Sequence, residues 1–144
     1  MNLIPGVEST GSALSAEKIR LEVIAQNIAN SNTTQDASGK VYQRKEVAFE
    51  EFIKNPSRRT PGYVDENLYQ GVRVVDVYDD QTPGRMIFNP GHPHANKDGM
   101  VEMPNVDVSR EMIDLISASR AYEANLSVVK TSRRMAQQAL AIGR

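Results

Sequence analysis

The most reactive-looking side chains in this 144-residue sequence are His92 and His94, which flank Pro93 and stand near Asp98 and Glu102. Two imidazoles and two carboxylates make a donor set that zinc or iron accepts. Their spacing does not bring two ligands onto one helical turn, however, and Pro93 restrains the backbone between the rings. The run reads as a polar turn carrying exposed histidines. Cysteine is absent, which excludes disulfides, thiolate metal ligands and cysteine nucleophiles. No glycine-rich phosphate loop follows a strand pattern and no G-x-S-x-G elbow occurs. The sequence therefore predicts no catalytic centre, no cofactor, no metal and no small-molecule substrate.

Basic residues carry no stronger signal. Arg58 and Arg59 sit in a Pro/Gly-containing stretch, and Lys130, Arg133 and Arg134 fall late in a helical pattern. Cations there complement a helix C-terminal dipole. With 17 basic against 18 acidic residues the net charge is −1, which gives no global attraction for nucleic acid or anionic membrane. The opening Met1-Asn2-Leu3-Ile4-Pro5-Gly6 has neither a basic start nor a long apolar run, so it does not read as a cleavable secretory signal. No segment is apolar for long enough to span a bilayer.

The elements that must position any site divide the chain by composition. Six of the seven prolines lie between residues 36 and 104, and Tyr122 is the one aromatic outside that window. Turn-formers and aromatics gathered between two helical flanks predict an α+β protein. Residues 1–35 with 105–144 are expected to form a discontinuous helical domain, and 36–104 an inserted β-rich region.

The first helix is predicted over about Val7 to Asn30. Leu14, Leu21 and Ile28 continue a seven-residue spacing begun at Val7, with Ile24 in the adjoining seam. Glu17 and Arg20 are expected to pair on its wet face. The last helix follows Pro104, with Asp107 as N-cap and Glu111 in the first turn. Alternating steps of four and three from Val108 select Met112, Leu115, Ser119, Tyr122, Leu126, Val129, Arg133, Ala136 and Leu140. A mostly apolar seam of that length suits coiled-coil-like pairing. An antiparallel pair within a monomer shows a similar stripe.

In the middle, Tyr42 to Phe49 is predicted as a strand with its charged residues toward water, and Val72 to Tyr78 as a second, richer in β-branched residues. The stretch 54–68 reads as a loop. Three turn signals, Pro83-Gly84, Asn89-Pro90-Gly91 and Asp98-Gly99, delimit short strands at Met86–Phe88 and Met100–Met103.

Two terminal segments carry a resemblance. The run from Gly11 to Thr33, including Glu17-Lys18-Ile19-Arg20-Leu21 and Ala25-Gln26-Asn27-Ile28-Ala29-Asn30, resembles the N-terminal signature of bacterial flagellar rod and hook axial proteins. Asn105-Val106-Asp107-Val108, Glu111-Met112, Ile116 and Ser119-Arg120-Ala121-Tyr122-Glu123-Ala124-Asn125 resemble the matching C-terminal signature. Within that family, Asn89-Pro90-Gly91-His92-Pro93-His94-Ala95-Asn96 resembles the proximal rod branch. Where many members carry Pro-Tyr before the first strand, this chain has Val41-Tyr42.

The resemblance implies a structural subunit of the periplasmic rod, the shaft that transmits torque to the hook. It implies export by the flagellar type III apparatus without a cleavable signal. Implied partners are other rod proteins, further copies of itself, and basal-body ring and adaptor proteins. The physics is compatible, since a head-to-tail contact whose rotation does not close generates a filament. The expected assembly surface is Leu14, Leu21, Ile24, Ile28, Met112, Leu115, Tyr122, Leu126, Val129 and Leu140. Asn27, Asn30 and Asn125 are expected to fix register through hydrogen bonds near helix ends. The alternative, from composition alone, is a soluble helical module that grips a partner helix.

Overall fold

The computed structural model describes residues 5–35, 39–53 and 70–142. Its elements in order are α1 (Pro5–Ala29), β1 (Lys45–Ile53), β2 (Gln70–Asp79), β3 (Met86–Phe88), β4 (Met100–Glu102) and α2 (Val108–Ile142). The α+β class is as expected, with long terminal helices flanking a small antiparallel β region. The expected loop at 54–68 lies outside the described residues.

Local chemistry explains where the helices begin and end. Pro5 occupies the first turn of α1, where its missing N–H costs nothing. At the other end Asn30 donates from both its backbone N–H and its Nδ2 to the Gln26 carbonyl, at 3.0 and 2.9 Å. Thr33 Oγ1 then donates to Asn30 Oδ1 at 3.2 Å, closing the helix in a turn. Asp107 caps α2 as expected: its Oδ1 accepts from the Ser109 N–H at 3.0 Å. Asn27 meets Glu111, and Arg20, further back on α1, reaches Asp114 further along α2, so the helices are antiparallel.

β1 and β2 pair antiparallel from Lys45↔Asp79 to Ile53↔Gln70. Ala48 faces Asp76 while Phe49 faces Val74, which leaves Val75 as the extra residue of a β-bulge. β3 and β4 form a second two-stranded sheet, Met86↔Glu102 to Phe88↔Met100. Its connecting segment is tied by Asn96 Oδ1, which accepts from the N–H groups of Asp98 and Met100 at 2.9 Å each, and Gly99 supplies the left-handed φ of 73°.

The apolar core is thin. Among the described residues it comprises Ala16, Val23 and Ile24 of α1, Ala118 of α2, Val101 of β4 and Val106. Against it stand exposed large hydrophobics on both strand pairs and on α2, among them Val75, Phe88, Ile113, Leu140 and Ile142.

Candidate assembly surface

The best-ordered chemistry lies where the helices meet the insert. Asn27, only 1% exposed, sits on α1 facing the chain just ahead of β1. Its Oδ1 accepts from the Lys45 N–H and its Nδ2 donates to the Lys45 carbonyl, both at 2.9 Å. The side-chain amide thus substitutes for a neighbouring strand and closes the edge of β1. Ser12 does the same for β2, its Oγ accepting from the Val72 N–H at 3.1 Å. Asn27 Oδ1 also accepts from the Tyr42 hydroxyl at 2.9 Å, and Nδ2 donates to Glu111 Oε2 at 3.0 Å.

Glu111 has no exposed surface. Its second oxygen, Oε1, accepts from Arg44 Nε at 2.6 Å. Arg44 Nη1 also bonds the Glu46 carboxylate and lies 4.0 Å from Asp80 Oδ2. Burial works against the guanidinium charge, but the hydrogen bonds to Glu111 and Glu46 outweigh it and raise its pKa above the ordinary value. The Arg44 backbone is fixed as well. Its N–H donates to Asn105 Oδ1 at 2.7 Å, and its carbonyl accepts from the Asp80 N–H at 2.7 Å. Asn105 Nδ2 completes the ring by donating to the Asp80 carbonyl at 3.0 Å. A buried charge is tolerable only when paired and fully hydrogen-bonded, and this node meets both conditions.

Two readings of the sequence need correction here. Arg44 does not point to water as a strand residue; β1 starts at Lys45, and the guanidinium turns inward to Glu111. Glu17 and Arg20 do approach, at 3.8 Å, but not on a wet face. Both are half-buried beside α2, and Arg20 extends to Asp114 at 4.0 Å. Pattern reading missed Tyr42, Arg44 and Asn105 as members of a site. The signal available was Asn27, Asn105 and Glu111 all falling inside the two terminal signatures.

The expected assembly residues are not equivalent in the subunit. Ile24 is buried, and Leu14, Leu21, Ile28, Leu115, Tyr122, Leu126 and Val129 are half-buried. Met112 and Leu140 are open to water, at 52% and 68% exposure. The row of α2 buried most deeply is Glu111, Ala118 and Ser132, with half-buried Asn125 between the last two. That row lies one residue before Met112, Ser119, Leu126 and Arg133, so the inward face is rotated from the one traced by apolar spacing. Small and polar residues let α1 approach closely, while several large apolar residues are turned outward. Of the register residues, Asn27 bonds across to β1 and α2, Asn30 closes its own helix, and Asn125 is half-buried on α2.

The outward apolar set on α2 includes Ile113, Ile116, Val128, Met135 and Ile142, exposed by 49% to 86%. Each β sheet adds exposed side chains: Val75 at the bulge, and Met86, Ile87 and Phe88 along β3. No helix among the described residues is long and apolar enough to cross a membrane.

The histidines are engaged in the turn. His92 Nδ1 accepts from the His94 N–H at 3.1 Å, and Thr34 Oγ1 and His94 Nδ1 share a hydrogen bond of 2.8 Å. Among the described residues no three His, Asp or Glu side chains gather as a metal-binding group.

Comparison with known proteins matches both ends to family models. Residues 8–35 match the flagella basal body rod protein model, and residues 97–142 match the flagellar basal body rod FlgEFG protein C-terminal model. Whole-chain relatives carry the name flagellar basal-body rod protein FlgC. That of Borreliella burgdorferi is 39% identical over 99% of this chain and 98% of its own. That of Yersinia enterocolitica is 40% identical over 99% of both. The Bacillus subtilis protein is 33% identical over the full length of each.

Proposed function

The chain belongs to the flagellar basal-body rod protein FlgC family, and from that premise we propose that its terminal helices form the surface through which copies and related rod proteins assemble. It is a structural subunit of the flagellar basal-body rod, not an enzyme, and it resides in the basal body among other flagellar components. In the proposed arrangement residues 1–35 and 105–144 act as one coiled-coil-like assembly domain. The insert, 36–104, meets neighbouring subunits and the basal-body ring and adaptor proteins. The assembly lies in the periplasm, reached through the type III export apparatus without a cleavable signal, and it transmits torque to the hook.

The observation that supports this reading is the outward apolar set of α2. Met112, Ile113, Ile116, Met135, Leu140 and Ile142 are each at least half exposed, and large apolar side chains left uncovered along the length of one helix suit packing against neighbours. The role of Leu14, Leu21, Ile24, Ile28, Leu115, Tyr122, Leu126 and Val129 is then to hold the pair in shape while Met112 and Leu140 meet neighbours. The test is to supply outward-face variants to cells lacking the wild-type subunit and purify basal bodies. Complete rods built from Ile113→Asp and Leu140→Asp subunits would refute the assignment of this face.

A further inference from the structure

We propose that the Asn27–Arg44–Glu111 node is a folding latch, through which the β insert decides whether the two terminal helices pair. The node binds groups from three separated stretches of chain: α1, the approach to β1, and the first turn of α2. Glu111 carries the only carboxyl group among the fully buried side chains of the described residues, and it lies on the face that α2 turns inward. Without Arg44, bringing α1 against α2 would strand that carboxylate with Asn27 as its sole partner. An uncompensated buried charge is strongly destabilising, whereas the paired one is tolerated.

Ala118, Asn125 and Ser132 of the inward row bury little apolar area, and Leu115, Tyr122, Leu126 and Val129 beside it are only half-buried. The helices thus have a modest apolar reason to pair and a strong reason not to pair around a bare carboxylate.

Arg44 in turn arrives only with the insert in place. Its backbone is held by Asn105 and by the Asp80 N–H at the end of β2, and the adjoining Lys45 is held by Asn27. Asp80 immediately follows β2, whose last residue, Asp79, pairs with Lys45. Closure of the β1–β2 hairpin therefore delivers the guanidinium to Glu111, and the helices can then dock. Pairing of the helices is thus conditional on the closed hairpin.

The test uses the full-length chain as an isolated subunit, with hydrogen exchange followed by segment. Arg44→Met leaves Glu111 buried without its cation. Amides of α1 around Val23 to Asn27 and of α2 around Glu111 to Ala118 should exchange about tenfold faster or more, while the amides of the paired Phe49 and Val74, to which neither Asn27 nor Ser12 hydrogen-bonds, keep their protection. The double variant Arg44→Met/Glu111→Gln removes the stranded charge and should recover most of the helical protection. Two results would overturn the latch. One is equal loss of protection in the hairpin and the helices, which would make the node an ordinary stabilising contact. The other is a double variant no better protected than Arg44→Met alone, which would mean that the Glu111 charge is not what couples the parts.

Discussion

Asn27 and Glu111 stand 84 positions apart in the chain and share a hydrogen bond of 3.0 Å in the folded subunit. One residue comes from each terminal signature, so the two ends of the sequence meet through this pair. Asn27 uses both ends of its amide, contacting the Lys45 backbone twice, the Tyr42 hydroxyl and Glu111.

Asn27→Ala would leave four buried or half-buried polar groups short of a partner. Loss of about 2–4 kcal/mol in unfolding free energy is expected. Asn27→Asp should be at least as damaging, because it sets a second carboxylate against Glu111. Asn30→Ala, which removes only local bonds at the end of α1, to the Gln26 carbonyl and from the Thr33 hydroxyl, should cost about 1 kcal/mol. Denaturant titration of the three variants would rank them; a mild Asn27→Ala would contradict the account of the node.

Gly84 presents a steric prediction. A methyl group there would run into the Met103 carbonyl oxygen, which is backbone and cannot swing aside. Gly84→Ala should destabilise by about 1–3 kcal/mol. Gly11 meets nothing within 4 Å and lies inside α1, so Gly11→Ala should stabilise the isolated subunit by about 0.5–1 kcal/mol. Thermal melts of both variants check the pair of signs.

Alkaline pH should loosen the same node. Burial, then the charges of Asp79 and Glu111, raise the Tyr42 pKa above its ordinary 10.0. A folded-state value raised in this way gives a contribution fully present below pH 10.0 and lost as pH climbs through the folded value. Ionisation also removes the proton that Tyr42 donates to Asn27. Tyr42→Phe should flatten the alkaline limb of a stability–pH curve, and an unchanged limb would exclude this residue as its source.

Acid acts at Asp80. Its carboxylate accepts from the Thr82 hydroxyl at 2.6 Å and the Thr82 N–H at 2.9 Å, and these bonds, with Arg44 adding to them, hold its pKa below 3.8. A lowered folded-state value contributes stability above pH 3.8 and loses it as pH falls through the folded value. Thr82→Val should shrink that acid dependence without touching the alkaline one.

Assembly and subunit stability should separate along α2. Leu140→Asp places a charge where the isolated subunit already meets water, so its melting behaviour should stay within about 0.5 kcal/mol of wild type. Incorporation into rods and swimming should nevertheless be lost. Leu126→Asp, at a half-buried site, should harm both. Glu123→Gln, exposed on the same helix, should harm neither.

Much of this architecture could be read from the residues. The seven-residue spacing begun at Val7 and the Asp107 N-cap placed the starts of both helices within a few residues, and three turn signals bracketed β3 and β4 closely. Apolar spacing failed at the inward face of α2 because that face is not apolar. Glu111 fits there only through Arg44, 67 positions earlier, and no local pattern reports a partner that distant. Arg44 itself looked like a solvated strand charge because Lys45 and Glu46 beside it are charged as well.

The unequal lengths of the paired helices have a consequence of their own. α1 has 25 residues and α2 has 35, a difference of about 15 Å at 1.5 Å per residue. From Arg133 to Ile142 every described α2 residue except half-buried Ala136 is exposed. One end of the subunit is therefore a blunt joint closed by the node, and the other a bare tip with Leu140 and Ile142 uncovered. Such a body has a head and a tail. If copies stack head to tail, the two ends of the stack offer different chemistry to whatever arrives next.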